Sequence, residues 1–215
     1  MPIDGFAIVA ASVSAAAPVG LAVLASAAIR PQWAAATRLI AVVVAVGVAL
    51  WDVVPRLVEG PVASVAGLFV LGLLVPLALA MLVARIRGGD RRVLGAGAAL
   101  GALTLHQLVD GLAIGGAWST GGGLSVSLAV AAHSVPLLGA ALHLVGLVGG
   151  RERAVRAGLL MGIVSAVGAV AGAVGAPLLP SVEVWLPPVM AGLVLNLVVA
   201  GFTHSHSDLP ESPPQ

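Results

Sequence analysis

The chain has no cysteine, no lysine and no tyrosine, and charged residues make up only 9% of it. Without cysteine there can be no disulfide, no thiolate metal ligand and no thiol redox chemistry. So little charge excludes an ordinary soluble globular domain, in which about a quarter of the residues are ionisable. All ten basic residues are arginine, and alanine, valine and glycine abound, a composition expected of a GC-rich bacterial genome. The formal net charge of +1 says little about partners, and no nucleic acid is expected among them.

What the chain has instead is apolar length: 60% of its 215 residues are hydrophobic. The expected fold is all-α, a polytopic transmembrane helix bundle of seven spans, at roughly 5–28, 35–55, 62–85, 93–117, 123–148, 154–178 and 184–203. Each has the ~20 residues needed to cross a hydrocarbon core of ~30 Å. Residues 1–203 form one membrane domain, and the polar, proline-rich residues 204–215 are expected to be a disordered tail. Ala25-Ser26-Ala27 resembles a signal-peptide cleavage site, but no basic residue precedes the first apolar run and Arg30 follows it, so an uncleaved helix is expected. Trp33, Trp51, Trp118 and Trp185 all fall at predicted span ends, as an interfacial belt requires.

Arginine position sets the orientation. Nine of the ten lie in odd-numbered loops or their edges: Arg30 and Arg38, then Arg85, Arg87, Arg91 and Arg92, then Arg151, Arg153 and Arg156. Only Arg56 lies in an even one, so the N-terminus is expected outside and the C-terminus in the cytoplasm. Small-residue pairs mark close helix packing: Gly97-xxx-Gly101 and Gly111-xxx-Gly115 on the fourth span, Gly158-xxx-Gly162 and Gly168-xxx-Gly172 on the sixth. Pro18, Pro76 and Pro136 fall inside spans, where each removes a backbone donor.

Strongly polar side chains cluster within the apolar runs at one place, His106-Gln107-Leu108-Val109-Asp110 on the fourth span. His106 and Asp110 are one helical turn apart on a single face, and Gln107 flanks them. Ionisable groups at this depth are costly and mark a site, a pathway or a relay. The fifth span carries His133-Ser134-Val135-Pro136. His106 and His133 both reach the middle third of the bilayer at ~1.5 Å per residue. A short glycine-rich turn at 119–123 makes the two spans antiparallel neighbours, so His133 can face His106 and Asp110. Pro136 is expected to free the carbonyl of Ala132 beside them. Two imidazoles and a carboxylate, with Gln107 or water completing the shell, suit a divalent metal. His143, near the cytoplasmic end, is as readily a pathway residue as an interfacial one. Asn196 suits an interhelical hydrogen bond, Asp52 lies near the outer surface, and His204 and His206 are expected to be ordinary tail residues.

These motifs resemble those of the ZIP (Zrt/Irt-like) divalent-metal transporters. The family's fourth-helix His-(Asn or similar)-x-x-(Glu/Asp)-Gly is matched by His106, Gln107, Asp110 and Gly111, and its fifth-helix His-x-x-Pro by His133 and Pro136. Asp52-Val53-Val54-Pro55 looks like a decayed His-x-x-Pro-Glu, and Asp208-Leu209-Pro210-Glu211 like a Leu-Pro-Glu near the last helix. The resemblance implies an inner-membrane transporter of zinc, or of iron or manganese, toward the cytoplasm. Its metal residues would be His106, Gln107, Asp110 and His133, with no organic cofactor and at most a second copy of the chain as protein partner. Many members have an acidic residue after the fifth-helix His and a His or Glu after the Pro, where this chain has Ser134 and Leu137. A two-metal centre would lose its bridging carboxylates, so one ion is expected. Eight helices are usual in the family against seven here, and the long His-rich loop is replaced by the short 87–92 segment.

Two other classes compete. A zinc hydrolase would use the open coordination position to activate water, but the His-Glu-x-x-His of intramembrane zinc proteases is absent and no separate base is visible. No enzymatic activity is therefore expected. The other is a metal sensor or scaffold that kept the fold while its second site decayed, which Ser134 and Leu137 would suit.

Overall fold

The computed structural model describes residues 5–28, 61–87 and 91–175 continuously, with scattered positions between 36 and 55 and between 188 and 195. The described residues are helical apart from a few turn positions, and no strand occurs among them. Five helices run unbroken: α1 (Gly5–Ala28), α2 (Val62–Arg87), α3 (Arg91–Thr120), α4 (Gly123–Gly149) and α5 (Arg151–Gly175). They correspond to the first, third, fourth, fifth and sixth predicted spans. The second and seventh spans, Asp52, Asn196 and the 204–215 tail lie wholly or largely outside the described residues.

α1, α4 up to Leu147, and α5 are long and apolar enough to cross a membrane. Their burial pattern says how they would do so. In α5 the residues turned inward are, apart from Met161, small: Ala154, Gly158, Ser165, Gly168, Ala169, Gly172 and Ala173. Its large side chains, Leu159, Leu160, Ile163 and Val167, face outward. α1 repeats the arrangement, with Ala7, Ala11, Ala15 and Ala22 inside and Phe6, Val9, Val13 and Leu24 outside. Water would drive the large residues in; lipid, as apolar as leucine, leaves helix association to close packing of small ones.

α1, α3, α4 and α5 form a four-helix bundle whose most extensive interface is α3 with α5. There the two predicted glycine pairs interlock. A Cβ on Gly111 or Gly115 would overlap the carbonyl oxygens of Ser165 and Ala169, and one on Gly168 or Gly172 those of Leu108 and Leu112. Gly101 is different: among the described residues nothing lies within 4 Å of where a Cβ would stand. α2 lies beside the bundle against α3. Its Gly72 meets the backbone of Val189, and Gly192 meets that of Phe69 and Leu73.

Connections between the bundle helices are shorter than the spans predicted. α3 ends on Gly121, whose φ of +92° closes the helix while Gly122 N–H donates to Ala117 O at 2.9 Å. This is the glycine-capped Schellman geometry, which only glycine adopts without strain. Gly150 (φ +83°) alone separates α4 from α5. Arg151 and Arg153 therefore belong to the first turn of α5 rather than to a loop, and Arg156 follows one turn on, pairing with Glu152. With both side chains about three-quarters exposed, that pair contributes little to stability.

Candidate metal centre

Two apolar clusters fill the bundle, and a polar layer separates them. One contains Val19, Leu103, Leu138, Leu142 and Met161. The other contains Ala11, Ile114, Val130 and Ala169, with Trp118 packed against it. Between them lie His106, Gln107 and Asp110 from α3, Ser134 from α4 and Ser165 from α5, all buried. The two-residue turn at 121–122 sets the register of α3 against α4. Asp110 and Ser134 are each about ten residues from it, so both reach the same depth, ~15 Å along their helices.

Asp110 Oδ2 is the centre of the layer. His106 Nε2 and His133 Nε2 each lie 3.4 Å from it, one from its own helix and one from α4. Ser134 Oγ donates to the same oxygen at 2.7 Å. Gln107 Nε2 approaches it at 3.5 Å. The two imidazole rings stand 5.6 Å apart, tilted by 58°. Ligand atoms of His106, Asp110 and His133 all lie within 4.8 Å of one another. Two donors on a tetrahedral zinc at ~2.0–2.1 Å are ~3.3–3.4 Å apart, the spacing both histidines keep from the carboxylate.

Proton positions sharpen this picture. His133 Nδ1 is 3.0 Å from the carbonyl of Ala129. A carbonyl only accepts, so Nδ1 carries the proton, and in a neutral ring Nε2 is left with a lone pair. That lone pair faces the lone pairs of a carboxylate. Something positive must stand between them, either a proton on the ring or a metal ion. Fixing one imidazole nitrogen on a backbone carbonyl is how proteins orient the other toward a metal. His106 adds a second imbalance, since both its ring nitrogens are buried and, beyond the 3.4 Å approach of Nε2 to Asp110, neither has a hydrogen-bond partner among the described residues. A polar atom buried in this way costs roughly 1–3 kcal/mol.

The layer thus brings together His106, Asp110 and His133, the three residues the sequence singles out. Gln107 turns its amide N–H toward Asp110 Oδ2, because a carboxylate cannot accept from the amide oxygen, and in this rotamer it supports the carboxylate. His133 meets the carbonyl of Ala129, since the ring folds back one turn along its own helix. Ser134, read in the sequence only as a missing carboxylate, is the shortest hydrogen bond to Asp110. Its position next to His133 was the one signal available. Ser165 was not singled out at all, and its Oγ donates to Ala15 O at 3.1 Å, tying α5 to α1 in the same layer. His143 lies apart from the triad, its Nδ1 on the carbonyl of Ser26 at 3.3 Å and its Nε2 buried without a hydrogen-bond partner among the described residues. No protein-family model matches the chain, and no curated protein or solved structure matches it either.

Proposed function

We propose that the chain carries divalent metal ions across a membrane, zinc first and iron or manganese next, binding them between His106, Asp110 and His133. The observation that carries this reading is the convergence of His106, Asp110 and His133, with His133 Nδ1 held on Ala129 so that Nε2 faces the carboxylate, beside an imidazole that has no hydrogen-bond partner among the described residues. The donor set is two nitrogens and one oxygen, which suits borderline ions and disfavours calcium or magnesium, since those need several oxygens. The likeness of His106, Gln107, Asp110 and Gly111, and of His133 and Pro136, to the ZIP transporters supports transport over catalysis. In this reading the bundle has seven spans, an outside N-terminus and a cytoplasmic C-terminus, and it sits in a bacterial inner membrane.

The layer lies between two packed apolar clusters. Helices must therefore shift against one another to open it to each side in turn, as alternating access at a mid-membrane site requires. Imidazole ligates only when neutral, so binding releases protons and weakens in acid. The deciding experiment is zinc uptake and zinc binding by wild type and Asp110→Asn. The variant keeps the shape of the side chain but removes its charge, so folded protein should be recovered while uptake and affinity collapse. Intact zinc affinity in well-folded Asp110→Asn protein would overturn the site. Orientation is tested separately: tags at the C-terminus and in the 87–92 loop should report cytoplasm, and one in the 118–123 turn the outside.

A further inference from the structure

We infer that Ser134 is the positioning residue of this centre: its hydroxyl fixes the Asp110 carboxylate so that one oxygen, through one lone pair, meets the ion. The inference rests on the metal reading above and goes beyond it by giving a role to a residue that cannot itself replace an anionic ligand.

Ser134 has no exposed surface and Asp110 is 7% exposed, so no water competes for the 2.7 Å bond between them. The acceptor is Oδ2, the same oxygen that both imidazole nitrogens face at 3.4 Å. A carboxylate oxygen has two lone pairs in its plane. Ser134 takes one at 2.7 Å, and the other, met only by the long 3.5 Å approach of Gln107, remains the one that an ion between the rings can engage. Gln107 approaches the same atom from the helix that carries Asp110, at 3.5 Å. Ser134 is on the partner helix, so its bond also couples the aspartate's rotamer to the α3–α4 spacing that sets the His133 distance. Without the hydroxyl, the carboxylate can turn about its terminal torsion, which is broad and has no strong preference of its own. It can then chelate with both oxygens or turn away from His133. Groups that orient metal ligands typically contribute ~10–100-fold in affinity.

The experiment compares zinc binding by calorimetry in wild type, Asp110→Asn, Ser134→Ala and Ser134→Thr, each purified whole in detergent. Cobalt(II) then serves as a spectroscopic probe of coordination. Expected are a ~10–100-fold loss of zinc affinity in Ser134→Ala and substantial recovery in Ser134→Thr, which restores the hydroxyl. The cobalt spectrum of Ser134→Ala should lose tetrahedral intensity as the freed carboxylate chelates. If threonine proves too large for this packed position, the spectrum of the alanine variant decides alone. Wild-type affinity and an unchanged cobalt spectrum in Ser134→Ala would overturn the inference while leaving the centre intact. Equal zinc binding by wild type and Asp110→Asn, or none by wild type, would remove the centre itself and the inference with it.

Discussion

The two faces of α3 are held by opposite means. Toward α5 it presents Gly111 and Gly115, and backbone lies against backbone with no side chain between. Toward α4 it presents Asp110, which gathers polar groups from both helices around one oxygen. The first contact is complete as it stands, since dispersion and weak Cα–H donation to carbonyls ask for nothing further. The second is incomplete, with one imidazole lacking a hydrogen-bond partner among the described residues and another whose Nε2 faces a carboxylate oxygen across 3.4 Å, where a proton or a metal ion must stand. A helix fixed on one face and unsatisfied on the other is a rigid mount for a ligand-seeking site, which is the support that a preorganised metal centre needs.

The largest effect should come from filling the complete face. Gly111→Val puts a branched side chain where even a Cβ overlaps the Ser165 carbonyl, and backbone cannot step aside as a side chain can. Overpacking of an ordinary core costs about 1–3 kcal/mol, and here it should exceed that, so little folded protein should be recovered. Size-exclusion chromatography of the detergent extract reads this directly. A monodisperse Gly111→Val protein as stable as wild type would mean that the α3–α5 seam is not where the structure has it.

Next comes the incomplete face. His106→Leu removes both unpartnered nitrogens and leaves an apolar side chain of comparable reach. A buried polar group without a hydrogen bond costs about 1–3 kcal/mol, which leucine does not incur. In metal-free buffer the variant should therefore melt at or above the wild-type temperature. Added zinc should then stabilise wild type, by about 2.7 kcal/mol at a hundred times Kd, and leave His106→Leu unmoved. A large loss of stability in the metal-free variant would instead make His106 a structural partner of Asp110.

How far the sequence foretold these two faces follows from what each depends on. The polar face was legible in its principal residues because histidine and aspartate inside an apolar run have few uses, and helical spacing puts them together. The roles of Ser134 and Gln107 were not, because which atom a neutral side chain turns toward a carboxylate depends on rotamer and helix rotation. The glycine face was half legible. Gly111-xxx-Gly115 and Gly168-xxx-Gly172 were visible as motifs, but not that they meet each other, nor that Gly97-xxx-Gly101 has no such partner at Gly101. The Arg151 and Arg153 loop was misplaced because a single glycine with positive φ reverses the chain, and nothing in the arginines themselves forbids helix.

A third prediction probes the charge at the polar face. With Asp110 as the one carboxylate in the converging group, a second divalent ion beside the first would be poorly compensated in this apolar layer. Calorimetry at modest zinc should give one ion per chain, and the same single step should vanish in Asp110→Asn. Two tightly bound ions would require ligands from outside the triad.

The smallest effect separates a motif from a contact. Gly101 has the same spacing from Gly97 as Gly115 has from Gly111, so by sequence the two pairs are equivalent. At Gly101 a Cβ would meet none of the described residues. Its backbone is helical and, unlike Gly121 and Gly150, it does not take a positive φ. Glycine there retains only its handicap, the extra freedom it gives up on entering a helix, which alanine lacks. Gly101→Ala should therefore stabilise the protein by up to ~1 kcal/mol and leave zinc affinity unchanged. Gly115→Ala, with its Cβ overlapping the Ala169 carbonyl, should move stability the opposite way by a larger amount. Thermal melts of the two alanine variants in one detergent make the comparison. Destabilisation of both to the same degree would show that the motif, wherever it stands on α3, is a packing surface, and that a further helix covers Gly101.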